Sequence, residues 1–115
     1  MFNWMEKARE AALSSTCLRR QVGSVLIASG RVLSTGSNKT PSPLPGCKEL
    51  GACAQEQNNL QRGNLQFCRT MHSEVECILK ANYILKYVDC DLIMYCTDSP
   101  CRYCAFIIIA AGIKK

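Results

Sequence analysis

The order of apolar and polar positions divides the chain into six elements. Trp4, Met5, Ala8, Ala11, Ala12 and Leu13 recur at spacings of three and four, which predicts an amphipathic helix over residues 3–16. Asn3 at its start, with Glu6 three residues on, has the form of a capping box. The short run Ser24-Val25-Leu26-Ile27-Ala28, the turn pair Ser29-Gly30 and the return run Arg31-Val32-Leu33-Ser34-Thr35 predict a β-hairpin over residues 22–36. Gly23 inside the first strand predicts a bulge or a close backbone approach. Residues 37–69 lose this periodicity, and Pro41, Pro43, Pro45 and Gly46 exclude regular structure at their start. A short helix over 53–61 is the one element this long loop allows. Val75, Cys77, Ile78, Leu79, Ala81, Ile84 and Leu85 predict a mostly buried helix over 71–85. Residues 91–96 predict a third strand, apolar enough to be central. Thr97-Asp98-Ser99 is read as the cap of a last helix over 100–111, with Gly112 ending it. The order α-β-β-α-β-α predicts an α/β domain of three layers, helices on both faces of a sheet.

Composition narrows the class without deciding it. At 115 residues, 48% hydrophobic and 20% charged, the chain suits one globular domain, residues 1–115, with a real core. The formal charge of +5 comes without any block of like charges, so it suits an anionic small molecule as readily as nucleic acid. Residues 1–15 carry Glu6, Lys7, Arg9 and Glu10, which is not a secretory signal. No run approaches the roughly 20 apolar residues of a membrane helix. A cytoplasmic protein with no membrane partner is therefore expected. Nine cysteines in such a chain point to metal rather than disulfides, and their odd number argues the same way.

The chemistry concentrates in two stretches, Thr70-Met71-His72-Ser73-Glu74 and Ser99-Pro100-Cys101-Arg102-Tyr103-Cys104. A His-x-Glu followed downstream by Pro-Cys-x-x-Cys is the signature of zinc-dependent nucleobase deaminases. His72, Cys101 and Cys104 supply three Zn²⁺ ligands and leave a fourth position for water, the arrangement of a catalytic rather than a structural site. Cys101 and Cys104 are expected in the first turn of a helix, where residues three apart share a face and the positive helix end favours thiolate. Pro100 fits that turn because its missing N–H has no partner to lose. Glu74 is the expected proton shuttle. Ser73, Ser99 and Pro100, flanking the ligands, are the expected substrate contacts. Cys77, Cys90 and Cys96 fall on helix or strand positions and read as small core hydrophobes.

The sequence also resembles the deoxycytidylate (dCMP) deaminases, of the late-competence and phage type, within the zinc-dependent cytidine/deoxycytidylate deaminase superfamily. The resemblance runs over Ser15-Thr16-Cys17-Leu18-Arg19-Arg20-Gln21-Val22-Gly23, Gly36-Ser37-Asn38, Cys68-Arg69-Thr70-Met71-His72-Ser73-Glu74, Ser99-Pro100-Cys101 to Cys104, and Ala111-Gly112-Ile113-Lys114. It implies the cytidine-deaminase-like fold and hydrolysis of dCMP to dUMP, which feeds thymidylate synthesis. It implies that Asn38 contacts the sugar and that Arg19 lies among the phosphate-binding groups. It further implies a homo-oligomer, a hexamer in many members, with dCTP and dTTP as effectors and Mg²⁺ accompanying the nucleotide. Cys17, Cys47, Cys53 and Cys68 resemble the ligands of a second, structural Zn²⁺, which would staple the loop over 37–69.

The sequence departs from the family pattern at three places. Ser37 and Lys39 flank Asn38 where the family has tyrosine and glycine, and Lys39 is a candidate for effector phosphate. Glu76 stands where the family has asparagine, and the expectation is that it points away from the metal around its helix. The chain also stops at Lys115, short of the strand and helix with which members continue, so the sheet is expected to have three strands and an exposed edge: either this is a minimal or truncated form, or a neighbouring subunit covers that edge. The alternatives are a deaminase of another nucleoside or base, and a non-catalytic zinc-stabilised nucleotide-binding module. A redox role for Cys101-x-x-Cys104 leaves His72 and Glu74 without a purpose, and a nucleic-acid substrate is not favoured.

Overall fold

The computed structural model describes residues 3–17, 20–41, 43–51 and 70–114. The elements are α1 (Trp4–Ala12), β1 (Gly23–Ala28), β2 (Arg31–Ser37), a single-turn α2 (Cys47–Leu50), α3 (Ser73–Leu85), β3 (Leu92–Cys96) and α4 (Arg102–Ala110). Strand order is β2-β1-β3, and both pairings are antiparallel. The helix expected over 53–61 lies outside the described residues.

β1 organises the sheet. All six of its residues are buried, because both its edges are paired and both its faces are covered. Val25 and Ile27 point to α1 and pack with Ala8, flanked by Trp4, Ile93 and Tyr95. Leu26 and Ala28 point to the other face and pack with Cys77, Ile78, Ala81, Leu92 and Ile113. This period-two division of one strand between two clusters produces the three layers: α1, sheet, then α3 with α4. The expectation that β3 is central is corrected. Among the described residues β3 is an edge strand, and its apolar composition reflects helices above and below it rather than strands on both sides. Past α4, the Lys114 N–H donates to the Leu92 carbonyl at 3.2 Å, returning the chain to the start of β3.

Two glycines set how closely the helices sit. A methyl at Gly23 would lie 2.0 Å from the Ala8 carbonyl oxygen, so α1 rests directly on the strand backbone. A methyl at Gly36 would lie 2.3 Å from the Ser73 carbonyl oxygen and 2.7 Å from the Cys77 nitrogen, so the first turns of α3 lie on β2. Gly23 is thus the close approach; the irregularity in the hairpin falls between Leu26 and Ile27 instead. Ser29 and Gly30 both take positive φ, 49° and 73°, as the tight turn of a hairpin requires.

Helix ends differ from the sequence pattern. The Asn3 side chain does cap α1, accepting from the N–H groups of Met5 and Glu6 at 3.0 and 3.3 Å. α1 stops at Ala12, leaving Leu13 exposed rather than on the packed face. α3 begins at Ser73 and α4 at Arg102, so Cys101 itself, not the Thr97-Asp98-Ser99 run, is the cap of α4, and Pro100 precedes it. Gly112, with φ 86°, follows α4 as expected. Cys77 is fully buried, and Cys90 is the exception among the cysteines read as core: it is exposed, because it lies in the turn before β3. Among the described residues no helix is long and apolar enough to cross a membrane.

Candidate metal centre

The site is built where two helices begin. His72 is the N-cap of α3 and Cys101 the N-cap of α4. His72 makes no side-chain capping bond, so its ring is free to turn toward the other helix. There its Nδ1 lies 3.2 Å from the Cys104 sulfur and 3.5 Å from the Cys101 sulfur. The Cys104 N–H meets the Cys101 sulfur at 3.5 Å, so the cap is a thiol held against the positive end of its own helix. Two helix N-termini therefore converge on one small volume.

The geometry fits Zn²⁺. Tetrahedral coordination with ordinary Zn–N and Zn–S bond lengths requires about 3.5 Å between nitrogen and sulfur. The ligand atoms of His72, Cys101 and Cys104 all lie within 4.8 Å of one another, and they form the one such group among the described residues. The donor set of one imidazole and two thiols matches the metal, and three protein ligands leave a fourth position open. Burial first, then the Glu74 carboxylate, push the Cys104 thiol well above its ordinary range in the metal-free chain. A cation at this point reverses that balance by favouring the thiolate. The Glu74 carboxylate lies close enough to the sulfur to act on it.

Glu74 is almost fully buried. Its Oε1 accepts a hydrogen bond from the Ser73 hydroxyl at 2.7 Å, and the Ser73 oxygen lies 2.7 Å from the Ser24 oxygen on β1. Ser73 is fully buried by these contacts, so the hydroxyl expected to touch substrate is turned to Glu74 instead. Ser24 was not singled out in the sequence; its signal is a serine within a strand buried on both faces.

The other expected site residues divide. Ser99 and Pro100 are exposed beside Cys101. Asn38 is buried, and its amide bonds within the chain: Oδ1 accepts from the Val22 N–H at 2.9 Å and Nδ2 donates to the Arg20 carbonyl at 2.8 Å. It therefore braces the segment before β1, and these two bonds use one of its two amide protons and one of its two oxygen lone pairs. Arg20 in turn ion-pairs with Asp98, tying that segment to the loop before Cys101. Lys39 pairs its backbone with Met71, and its ammonium faces Glu76 rather than open solvent. The Glu76 carboxylate meets the end of β2, accepting from the Ser37 N–H, and is not part of the group that could hold a metal. Arg19, Cys53 and Cys68 lie outside the described residues, as does the Cys47 side chain; Cys17 is half-buried.

Residues 2–115 match the family model for the cytidine and deoxycytidylate deaminase zinc-binding region. The chain belongs to this family. It is 36% identical over 113 residues to the deoxycytidylate deaminase of Schizosaccharomyces pombe, covering 97% of this chain and 34% of that protein. It is 32% identical over 116 residues to the deoxycytidylate deaminase of Mycobacterium phage D29, covering 94% of this chain and 84% of that protein. The chain thus spans about a third of the length of the yeast relative and most of the phage one. Among solved structures, the dCMP deaminase of cyanophage S-TIM5 in complex with dCMP and dUMP superposes with a TM-score of 0.70 at 24% identity, covering 96% of this chain and 74% of that one. That likeness establishes the cytidine-deaminase-like α/β fold. Family and geometry together make Zn²⁺ the metal of the His72, Cys101 and Cys104 site.

Proposed function

We propose that residues 1–115 form a single deaminase domain that hydrolyses dCMP to dUMP and ammonia. The observation that carries this reading is the convergence of His72, Cys101 and Cys104 with a buried carboxylate, Glu74, close to Cys104. A structural zinc site needs four protein ligands and no adjacent base; among the described residues this one has three ligands and a carboxylate beside them. The names of the relatives support the substrate, since the yeast and phage proteins are deoxycytidylate deaminases.

Bound Zn²⁺ supplies the Lewis acidity that brings the ionisation of water from about 16 to near neutrality. Glu74 takes the proton of the attacking water and hands it to the ring nitrogen beside the reacting carbon. The new carbon–oxygen bond forms as that nitrogen gains its proton. Glu74 then takes the remaining proton from the new hydroxyl and hands it to the exocyclic amine; the carbon–oxygen double bond forms as the carbon–nitrogen bond breaks, and ammonia leaves. Both transfers need one carboxylate within reach of two positions, which a side chain held at one oxygen beside the metal ligands can provide.

The finer assignments are part of the same proposal. A second zinc at Cys17, Cys47, Cys53 and Cys68 is supported by Gly46, whose backbone packs on Thr16 and so brings the chain at Cys47 beside that at Cys17. Self-association is supported by large apolar side chains exposed on α3 and α4, among them Tyr83, Tyr103, Phe106 and Ile109. Competing dCMP, deoxycytidine, cytosine and dCTP as substrates tests the reading. Preference for dCMP supports it, and preference for the unphosphorylated nucleoside or base moves the chain to another branch of the family.

A further inference from the structure

We infer that Ser73, backed by Ser24, is a positioning residue that holds one oxygen of Glu74 in place and leaves the other to move protons. Its consequence for rate rests on the deaminase reading above; its structural half rests on geometry alone.

Each serine hydroxyl has one proton to give. Ser73 gives its proton to Oε1 of Glu74 at 2.7 Å. The 2.7 Å contact between the Ser73 and Ser24 oxygens is then a hydrogen bond only if Ser24 supplies the proton. The Cys96 sulfur, 3.2 Å from the Ser24 oxygen, is the weaker competing acceptor. The result is a chain of donors running one way, from Ser24 through Ser73 to Glu74. Both serines are fully buried, so water does not compete for either bond. A hydroxyl that already accepts a hydrogen bond is a stronger donor, and the acceptor here is a carboxylate, so the last bond is the strong one.

The anchor is as important as the bond. Ser24 lies on the central strand, opposite Gly36 on one side and Cys96 on the other. The Ser73 backbone is pinned independently, because its carbonyl oxygen occupies the space a side chain at Gly36 would need. Glu74 is thus referenced to the stiffest part of the sheet rather than to a loop. A glutamate has three rotatable bonds, and a proton carrier displaced by even about 1 Å loses much of its rate.

The test uses the full-length zinc-loaded chain with Ser73→Ala and Ser24→Ala. The readouts are kcat and KM for dCMP, zinc per chain, and the ¹³Cδ resonance of Glu74, assigned as the signal missing from Glu74→Gln. Ser73→Ala is expected to lower kcat about tenfold or more, the value of one hydrogen bond to a charged group. Its KM stays within about twofold, because substrate binding is untouched. Zinc content is unchanged and the Glu74 resonance moves. Ser24→Ala shows the same pattern, smaller. An unmoved resonance, an unchanged kcat, or a loss confined to KM overturns the inference. If Ser73→Ala does not fold, Ser24→Ala decides on the same criteria. If the unmodified chain does not turn over dCMP, the deaminase reading fails, and the resonance alone still decides whether Ser73 holds Glu74.

Discussion

The ammonium of Lys39 lies 3.6 Å from Oε1 of Glu76, in a bridge that ties the end of β2 to the first turn of α3. The same oxygen accepts from the Ser37 N–H at 3.1 Å and meets Lys80 at 3.2 Å. The carboxylate is nearly buried while both lysines are partly exposed, so the two partners are unequal. Removing Glu76 strands a buried backbone donor and one face of two cations. Glu76→Ala is expected to cost about 2–4 kcal/mol. Lys39→Ala leaves Lys80 in place and is expected to cost under about 1 kcal/mol. Urea denaturation of the zinc-loaded chain measures both, and equal costs would show that the bridge is a surface pair only.

Gly36 carries a sharper prediction. No rotamer relieves a methyl 2.3 Å from a backbone oxygen, so Gly36→Ala must push α3 off β2. His72 and Glu74 move with it. The expected result is a loss of about 3 kcal/mol in stability, together with weaker zinc binding, read by chelator competition. Stability lost without any change in zinc affinity would mean that α3 shifts as a whole with its metal ligand unaffected.

Cys77 predicts an alkaline limb. Burial pushes its thiol up to about 11 from 9.0, with Ser34 opposing. Between these values the unfolded chain has given up its proton and the folded chain has kept it. The contribution is therefore fully present below pH 9 and is lost as pH climbs toward about 11. Thermal melts of Cys77→Ala against the unmodified chain, across that range, isolate it: the difference between them should shrink as pH rises. Thiol reagents at pH 8 should leave Cys77 unmodified until the protein unfolds, since it has no exposed surface.

Zinc content separates the two proposed metals. Two zinc ions per chain, falling to one in Cys17→Ser with turnover retained, is the expected result. His72→Ala should lose the other ion and all turnover. Since the ligand thiols must lose protons to bind metal, zinc should also be released more readily as pH falls. One ion in the unmodified chain, unaffected by Cys17→Ser, removes the second site.

The sequence made the metal ligands readable because zinc chemistry restricts both residue type and spacing. His72, Cys101 and Cys104 had few other roles open to them, although each of the two helices starts two residues later than the pattern placed it, which makes His72 and Cys101 caps. The layers were readable from periodicity. What pattern could not supply was pairing across the chain. Strand order depends on which edges meet, so the apolar run over 92–96 looked central when β1 holds that place. The roles of Asn38, Lys39 and Ser73 were likewise set by partners 16 to 49 residues away from the groups they hold or by the neighbours of those groups, such as Val22, Glu76 and Ser24. Two positions that each departed from the family pattern, Lys39 and Glu76, turn out to face one another, a relation invisible at either position alone.

Glu74 is the residue on which the proposed deamination turns, and the most direct measurement is the loss of cytosine absorbance when zinc-loaded Glu74→Ala is given dCMP beside the unmodified chain. Steady turnover is expected of the unmodified chain, and none above background of the variant, with zinc at His72, Cys101 and Cys104 retained in both. Turnover that survives Glu74→Ala, or its absence from an unmodified chain carrying that zinc, would contradict the proposed reaction.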